Sequence, residues 1–241
     1  KHIDPEKIIS VAVTPCTAKK AEIAREELCD AGKLLNIEEM RDNDYVITTK
    51  ELVQWCQEEG LDLDKITPSK FDSVLGEGTG AGMIFGNTGG VMEAALRTVY
   101  RVLEGKEAPA DFYQLRPVRG LSNRKEAEVT IAGKKLRVCI LYGTAAAEEF
   151  LAEDMNGYHF VEVMTCPGGC ISGAGQPDCG SVPVSDVVRK KRIQSLYQAD
   201  EQAERRNSMD NPEIGKTDAN GRLSVGMKNV YDRIKLNCGK E

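Results

Sequence analysis

Residues 161–170 have the sequence Val-Glu-Val-Met-Thr-Cys-Pro-Gly-Gly-Cys, and residues 171–177 continue it as Ile-Ser-Gly-Ala-Gly-Gln-Pro. An apolar run that ends in a cysteine, a proline, two glycines and a second cysteine predicts a buried strand that leads two thiols into a tight turn. Paired glycines let the backbone pass close to a bulky inorganic group, and they leave amide N–H groups to hydrogen-bond its sulfurs. The proline fixes the approach to the turn. This stretch is therefore a candidate metal-cluster site.

The spacing of Cys166 and Cys170 leaves other interpretations open. The pair could be a redox pair, half of a zinc site, or two buried apolar side chains. A thioredoxin-like pair has two intervening residues, whereas here there are three. A zinc site would need a second pair and usually histidine, and the chain contains only His2 and His159. A radical-SAM cluster would need a third cysteine where Gly173 stands. Spacing alone does not decide among these sites.

Two other segments carry motifs in the same chain. Residues 14–22 read Thr-Pro-Cys-Thr-Ala-Lys-Lys-Ala-Glu, and residues 80–97 read Gly-Ala-Gly-Met-Ile-Phe-Gly-Asn-Thr-Gly-Gly-Val-Met-Glu-Ala-Ala-Leu-Arg. Together with residues 164–177, they resemble, in the same order, motifs of the iron-iron (FeFe) hydrogenases. The resemblance covers most of residues 7–214, and three ordered motifs are far more specific than one.

The resemblance implies that the chain is the C-terminal part of the catalytic (H-cluster) domain of such a hydrogenase, which reduces protons reversibly to dihydrogen. The implied cofactor is a 4Fe-4S cubane bridged by cysteine to a two-iron subcluster that carries carbon monoxide, cyanide and a dithiolate. The implied metal ligands are Cys16, Cys166 and Cys170, and Cys170 is the one shared by both parts. Lys19 and Cys170 are implied to be catalytic, because the family's lysine hydrogen-bonds a cyanide ligand. The residues implied to contact the cofactor are Thr14, Pro15, Lys19, Phe85, Gly86 and Met164.

The sequence departs from the family's pattern at three points. Thr14 stands where the family usually has methionine, and Ala174 stands in the middle of a run that is usually three glycines. The family's first cluster motif, which supplies the fourth cubane cysteine and a proton-relay cysteine, is not in this chain. We therefore expect the fragment alone to be inactive and to lack a complete cluster. The alternative is a hydrogenase-like iron-sulfur protein with a sensory or structural role and little or no dihydrogen turnover.

The implied partners are the missing N-terminal half of the catalytic domain and an electron-transfer partner, such as ferredoxin or additional iron-sulfur domains. A formal net charge of −6 argues against nucleic acid or an anionic membrane as a partner. No apolar run approaches the roughly 20 residues of a membrane span. Eight cysteines without a paired spacing suit a reducing compartment, so we expect a cytoplasmic location.

A length of 241 residues with 41% hydrophobic content permits one domain or two closely joined lobes. We assign residues 1–214 to the catalytic domain and leave residues 215–241 as an unexplained tail. The start at Lys1 is neither a signal peptide nor an initiator methionine, so we expect a piece of a longer protein.

The pattern of apolar residues predicts an α/β fold. Three βα units in succession favour a mainly parallel sheet with helices on both faces. The predicted strands cover residues 8–13, 45–49, 136–142 and 159–163, and the predicted helices cover residues 17–28, 51–59, 91–103, 145–155 and 184–205. Residues 116–128 indicate a hairpin or an excursion. Cys29, Cys56, Cys139 and Trp55 are predicted to be packing residues.

Overall fold

A computed structural model of the chain describes residues 4–72, 77–153 and 155–212. The predicted tail, residues 215–241, lies outside the described residues. The chain divides into two compact units. The first consists of Lys1–Thr67 with Gly168–Lys190, and the second of Pro68–Pro167 with Lys191–Glu241.

The first unit contains a pair of short parallel strands with helices after each of them. Its elements are β1 (Val11–Thr14), α1 (Ala18–Glu22), α2 (Asp30–Leu35), β2 (Tyr45–Thr48) and α3 (Thr49–Glu58). The strands run in register from Val11 opposite Tyr45 to Thr14 opposite Thr48. The step from β2 into α3 is closed by a capping box, in which the Glu51 N–H donates to the Thr48 hydroxyl and the Thr48 N–H donates to the Glu51 carboxylate. This box fixes the end of β2.

The first unit buries little apolar surface. Among its described residues, the buried hydrophobic side chains are Val46 and Ile171. Val11 on β1 is 48% exposed and Tyr45 on β2 is 61% exposed, although parallel sheets are usually covered on both faces. The prediction that Trp55 packs in a core is wrong, because its side chain is about half exposed.

The first helix is shorter than the sequence predicts. The pattern indicates a helix over residues 17–28, but α1 ends at Glu22. Arg41 donates from Nη1 to the carbonyl oxygens of Arg25, at 3.2 Å, and Ile23, at 3.5 Å. A side chain from elsewhere in the unit thus binds backbone oxygens that a continued helix would use for itself.

The second unit is built on a mixed sheet of three strands in the order β3, β4, β5. The strands are β3 (Arg124–Ile131), β4 (Lys134–Tyr142) and β5 (Phe160–Met164), and the helices are α4 (Gly80–Met83), α5 (Gly90–Glu104), α6 (Thr144–Leu151) and α7 (Asp186–Gln202), which belongs to this unit from Lys191 onward. Strands β4 and β5 are parallel, as predicted, while β3 and β4 form an antiparallel hairpin. The predicted α/β fold with parallel strands and helices is confirmed.

The main core of the second unit lies between α5 and the β3–β4 hairpin. Its buried side chains are Met92, Leu96, Ala108, Phe112, Val118, Ile131, Val138 and Ile140. A second cluster on the α6 side of β4 contains Cys139, Leu141, Ala146 and Phe150. The thiol of Cys139 is fully buried there, so the prediction that it is a packing residue is confirmed.

A network of buried charges ties α5 to α7. The Arg97 guanidinium, fully buried, donates to both oxygens of Asp200 at 2.8 Å and to Glu93 at 2.6 Å. Arg119 donates to the same Glu93 carboxylate, and Arg206 donates to Asp200 at 2.6 Å. Buried ions are tolerated only when all of them are paired, so each partner depends on the others.

We expect Arg97→Met to lower the free energy of unfolding by about 3 to 5 kcal/mol, because it leaves two buried carboxylates short of a partner. Urea unfolding measures this difference. Arg205→Met is the control, since Arg205 pairs with Glu77 at the surface and such pairs contribute about 0 to 1 kcal/mol. Equal losses in the two variants would contradict the role given to the buried network.

Candidate metal centre

Cys16 lies two residues beyond the end of β1, at the carboxyl end of the parallel pair. The Thr14 hydroxyl donates to the Cys16 carbonyl oxygen at 3.1 Å, and the Cys16 N–H donates back to the same hydroxyl at 3.4 Å. Open α/β sheets place their ligands beyond the carboxyl ends of their strands. The turn at Cys16 is therefore in the usual place for a site, and Thr14 holds its backbone.

Residues 173–175 pack against this turn. The Gly175 N–H donates to the Pro15 carbonyl oxygen at 3.0 Å, and the Gly175 carbonyl oxygen accepts from the Lys50 N–H at 2.8 Å. A Cβ added to Gly173 would collide with the Pro15 carbonyl oxygen, and one added to Gly175 would lie 2.9 Å from the Pro15 carbonyl carbon. Ala174, between them, is exposed. The contact thus requires the outer two glycines and leaves room for a methyl group at the middle position.

The turn between Cys166 and Cys170 is made by two glycines with left-handed backbone. Strand β5 ends at Met164, and φ is +81° at Gly168 and +99° at Gly169. Such angles favour glycine. Cys170 then begins a short 3-10 turn that ends at Ser172. Cys170 is exposed and Cys166 is partly exposed, as the predicted turn with two thiols requires. The prediction that the strand before them is buried is wrong, because Phe160 is 41% and Val163 56% exposed.

Lys19 lies in α1, three residues after Cys16. Its ammonium group donates to both carboxylate oxygens of Glu22 at 2.7 Å, and both side chains are more than a third exposed. The structure thus places Lys19 at the same end of the parallel pair as the turn that carries Cys170. The hydrogen bonds found for its ammonium group are those to Glu22.

Phe85 and Gly86 belong to a 3-10 turn, Ile84–Gly86, in the second unit. Ile84 is fully buried and anchors the turn, and its carbonyl oxygen accepts from the Asn87 side-chain amide at 2.7 Å. The Phe85 ring is 45% exposed. A large apolar ring held outward on a fixed turn is available to line a pocket.

Glu162 and Lys125 are two buried charged side chains that lie outside the sequence-predicted site residues. The Glu162 carboxylate accepts from the Gly89 N–H at 2.6 Å and from the Met92 N–H at 2.7 Å. Lys125 donates to the carbonyl oxygens of Thr88, at 3.2 Å, and Gly120, at 3.0 Å. The signal that could have drawn attention to Glu162 is a carboxylate in an otherwise apolar strand.

Burial disfavours the charged form of both groups and shifts their pKa values accordingly. Loss of solvent lowers the pKa of Lys125 from 10.5 to about 8, against the attraction of Glu162. Loss of solvent also raises the pKa of Glu162, against the N–H groups that it accepts from and the charge of Lys125.

The family described as iron only hydrogenase large subunit, C-terminal domain, matches residues 1–174. The chain belongs to this family. Iron hydrogenase 1 from Clostridium pasteurianum is 38% identical over 218 residues, which are 89% of this chain and 36% of that protein. A solved structure of the FeFe-hydrogenase HydA1 from Chlamydomonas reinhardtii has a TM-score of 0.66 at 31% identity and covers 95% of this chain and 59% of that one. The prediction of a C-terminal part of a hydrogenase catalytic domain is confirmed.

A relative with another role is also similar. The cytosolic Fe-S cluster assembly factor narfl from Xenopus tropicalis is 30% identical over 206 residues, which are 82% of this chain and 41% of that protein. The chain therefore spans about two fifths of the length of these curated relatives. The relatives of this chain thus include both a hydrogenase and an iron-sulfur cluster assembly factor.

The donor set fits an iron-sulfur cluster in chemistry. Iron-sulfur clusters are held by cysteine thiolates, and Cys16, Cys166 and Cys170 all stand in exposed or partly exposed turns. Within residues 4–72, 77–153 and 155–212, no group of three His, Cys, Asp or Glu side chains converges to hold a metal ion. The ligand roles of these cysteines stay predictions.

No helix within residues 4–72, 77–153 and 155–212 is both long and apolar enough to cross a membrane.

We expect Gly173→Ala to lower the free energy of unfolding by about 1 to 3 kcal/mol, because the new methyl group meets backbone that cannot move aside. Ala174→Gly is the matched control at the exposed middle position. It should cost about 1 kcal/mol or less, through added freedom of the unfolded chain. Urea unfolding of both variants checks the difference, and similar losses would show that the Pro15 contact does not limit this segment.

The shifted pKa of Lys125 makes stability depend on pH. Because the folded-state pKa of about 8 lies below the ordinary 10.5, the unfolded chain binds more protons between these values, and the free energy of unfolding rises with pH there. In Lys125→Met this contribution is absent, so the wild type should gain stability relative to the variant from pH 8 to 10. Lys134→Met, an exposed position on the same hairpin, gives the background. A constant difference across this range would contradict the burial of a titrating lysine.

Proposed function

We propose that this chain is part of an iron-iron hydrogenase and that the complete protein reduces protons reversibly to dihydrogen. The observation that carries the proposal is the position of Lys19, an exposed amine three residues from Cys16, at the end of the sheet where residues 173–175 fix the Cys170 turn. A plain cubane would need the thiolates alone. The lysine is explained by a cofactor with anionic ligands that accept hydrogen bonds.

The three cysteine thiolates would hold the cofactor, with Cys16 and Cys166 on the cubane and Cys170 shared with the two-iron subcluster. When bound, the cofactor would supply electron transfer and the reduction of protons. The fourth cubane thiolate would come from the N-terminal half of the catalytic domain. The chain's own share would be three ligands, two of which flank the turn made by the left-handed Gly168 and Gly169.

Lys19 would exchange its partner when the cofactor binds. Its pairing with Glu22 is exposed and spans three residues of one helix, and such a pair is worth about 0.3 to 0.5 kcal/mol. A charge-assisted hydrogen bond in a dry pocket is worth about 1.5 to 3 kcal/mol. The stronger of these two interactions favours the cofactor as acceptor.

Each of the remaining predicted contacts would keep water from the part of the cofactor that it touches. Phe85 in its 3-10 turn and Met164 at the end of β5 offer apolar surface, and Gly86 has no side chain to block access. Pro15 and Thr14 lie at the base of the Cys16 turn. Exclusion of water strengthens each electrostatic interaction with the cofactor.

We also propose that the missing N-terminal half of the domain covers the first unit. The exposed Val11, Val13 and Tyr45 side chains leave the parallel pair uncovered, and a parallel sheet normally has both faces buried. Ferredoxin or additional iron-sulfur domains would deliver electrons.

The scattered positions of the eight cysteines along the sequence support a cytoplasmic location.

The second candidate is an iron-sulfur protein without dihydrogen turnover, in a sensory, structural or assembly role. The similarity to a cytosolic assembly factor over 82% of the chain supports it. Thr14 supports it too, because a hydroxyl replaces the thioether that the family usually presents to the two-iron unit.

The two candidates differ in the infrared spectrum. We expect the full-length parent protein, matured under anaerobic conditions, to contain iron and sulfide and to show bands of metal-bound carbon monoxide and cyanide. Iron and sulfide without these bands would reject the hydrogenase and leave the second candidate. Cys170→Ser should lose the bands and keep the cubane iron, because Cys170 is the proposed bridge. Lys19→Met should shift the cyanide bands, whereas Lys20→Met, its neighbour in α1, should leave them in place.

A further inference from the structure

Glu162 is a buried carboxylate in the middle of a strand. It is 5% exposed on β5, between Val161 and Val163, and its register partner on β4 is the fully buried Ile140. An apolar side chain at this position would satisfy the sheet at lower cost, because a buried carboxylate is stable only when it is fully hydrogen-bonded. The fold of the strand therefore does not explain the residue.

The Glu162 carboxylate caps helix α5 from outside the helix. It accepts from Gly89 and Met92, whose N–H groups point out of the first turn. An anion is favoured at this end of a helix. The helix cannot supply its own cap, because φ at Gly89 is +90° and a Cβ there would collide with the Val118 carbonyl oxygen. A Cβ at Gly90 would likewise collide with the Ile84 carbonyl oxygen.

Lys125 holds the other side of the same peptide unit. The Thr88 carbonyl oxygen accepts from Lys125 at 3.2 Å, and the N–H of the same Thr88–Gly89 peptide donates to Glu162 at 2.6 Å. One peptide is thus fixed at both its oxygen and its nitrogen by side chains of opposite charge. Both side chains come from the sheet, Lys125 from β3 and Glu162 from β5.

We propose that Glu162 is a positioning residue for the cofactor pocket, which rests on the proposed function. Through the clamped Thr88–Gly89 peptide, Glu162 ties β5 to the turn that carries Phe85. Four residues after Glu162, the same strand leads to Cys166. The carboxylate thereby sets the position of the Phe85 ring relative to the strand that leads to Cys166. Glu162 itself does not touch the cofactor.

The test compares Glu162→Gln with Ile140→Val in the matured full-length protein. Gln keeps the size of the side chain but presents an N–H group to an N–H donor, so one contact is lost. Ile140→Val removes one buried methylene beside Glu162 and leaves the clamp intact. Both variants are measured by iron content, by the infrared bands of carbon monoxide and cyanide, and by hydrogen exchange at the Gly89 and Met92 amides.

We expect Glu162→Gln to keep its iron, to shift or broaden the infrared bands, and to exchange the two amides at least about tenfold faster than the wild type, as the loss of one hydrogen bond to a charged group implies. Ile140→Val should leave the infrared bands and the exchange rates of the two amides unchanged. Bands in Glu162→Gln that equal those of the wild type would overturn the positioning role while the proposed function stands. A wild type without such bands would overturn both the positioning role and the proposed function. The exchange rates would then report only on the capping of α5 by Glu162.

Lys125→Met is the second variant, for the case that Glu162→Gln does not fold. It releases the oxygen side of the same peptide, so the infrared bands should shift in the same direction. Unchanged bands in Lys125→Met, with iron at the wild-type level, would overturn the clamp.

Discussion

The backbone of residues 173–175 lies so close to Pro15 that neither Gly173 nor Gly175 has room for a side chain, and the arrangement of the Cys16 and Cys170 turns in the first unit depends on this contact. It fixes the turn that follows Cys170 to the turn that contains Cys16. The hydrogen bond from the Lys50 N–H to the Gly175 oxygen adds the start of α3. Three distant segments thus meet through backbone groups alone, so that the thiols and the lysine amine are left for chemistry.

In the second unit, buried charged side chains hold distant segments together. Glu162 joins a strand to a helix 73 residues away, and Arg97 joins α5 to Asp200, 103 residues away. Well-packed apolar side chains often give equal or greater stability than buried ion pairs. What a carboxylate or guanidinium adds is direction, because its hydrogen bonds are met in one arrangement only. The fold therefore fixes its elements by glycine contacts in one unit and by directed charges in the other.

Local features could be predicted from the sequence, and distant partners could not. The strand before Pro15 and the strand before Cys166 end where the pattern indicates, and Cys139 is buried as predicted. The hairpin predicted over residues 116–128 is present, but its strand β3 begins at Arg124 and continues to Ile131, because alternating charged side chains hide the strand pattern. The role of Glu162 depends on a helix end that no local pattern connects to it. The exposure of Trp55 depends on how little apolar surface the first unit buries.

Residue 14 shows how a departure from a family pattern can act on the backbone. Thr14 in place of methionine suggests a more polar pocket, but its hydroxyl donates to the Cys16 carbonyl oxygen and accepts from the Cys16 N–H. The proton of that hydroxyl is therefore already used. A thioether, which is only a weak acceptor, could not hold the turn in this way. The exchange thus replaces a soft contact by a fixed orientation of Cys16. A cubane ligand must be oriented in a hydrogenase and in a protein without turnover alike, so Thr14 weighs less against dihydrogen chemistry than its polarity suggests.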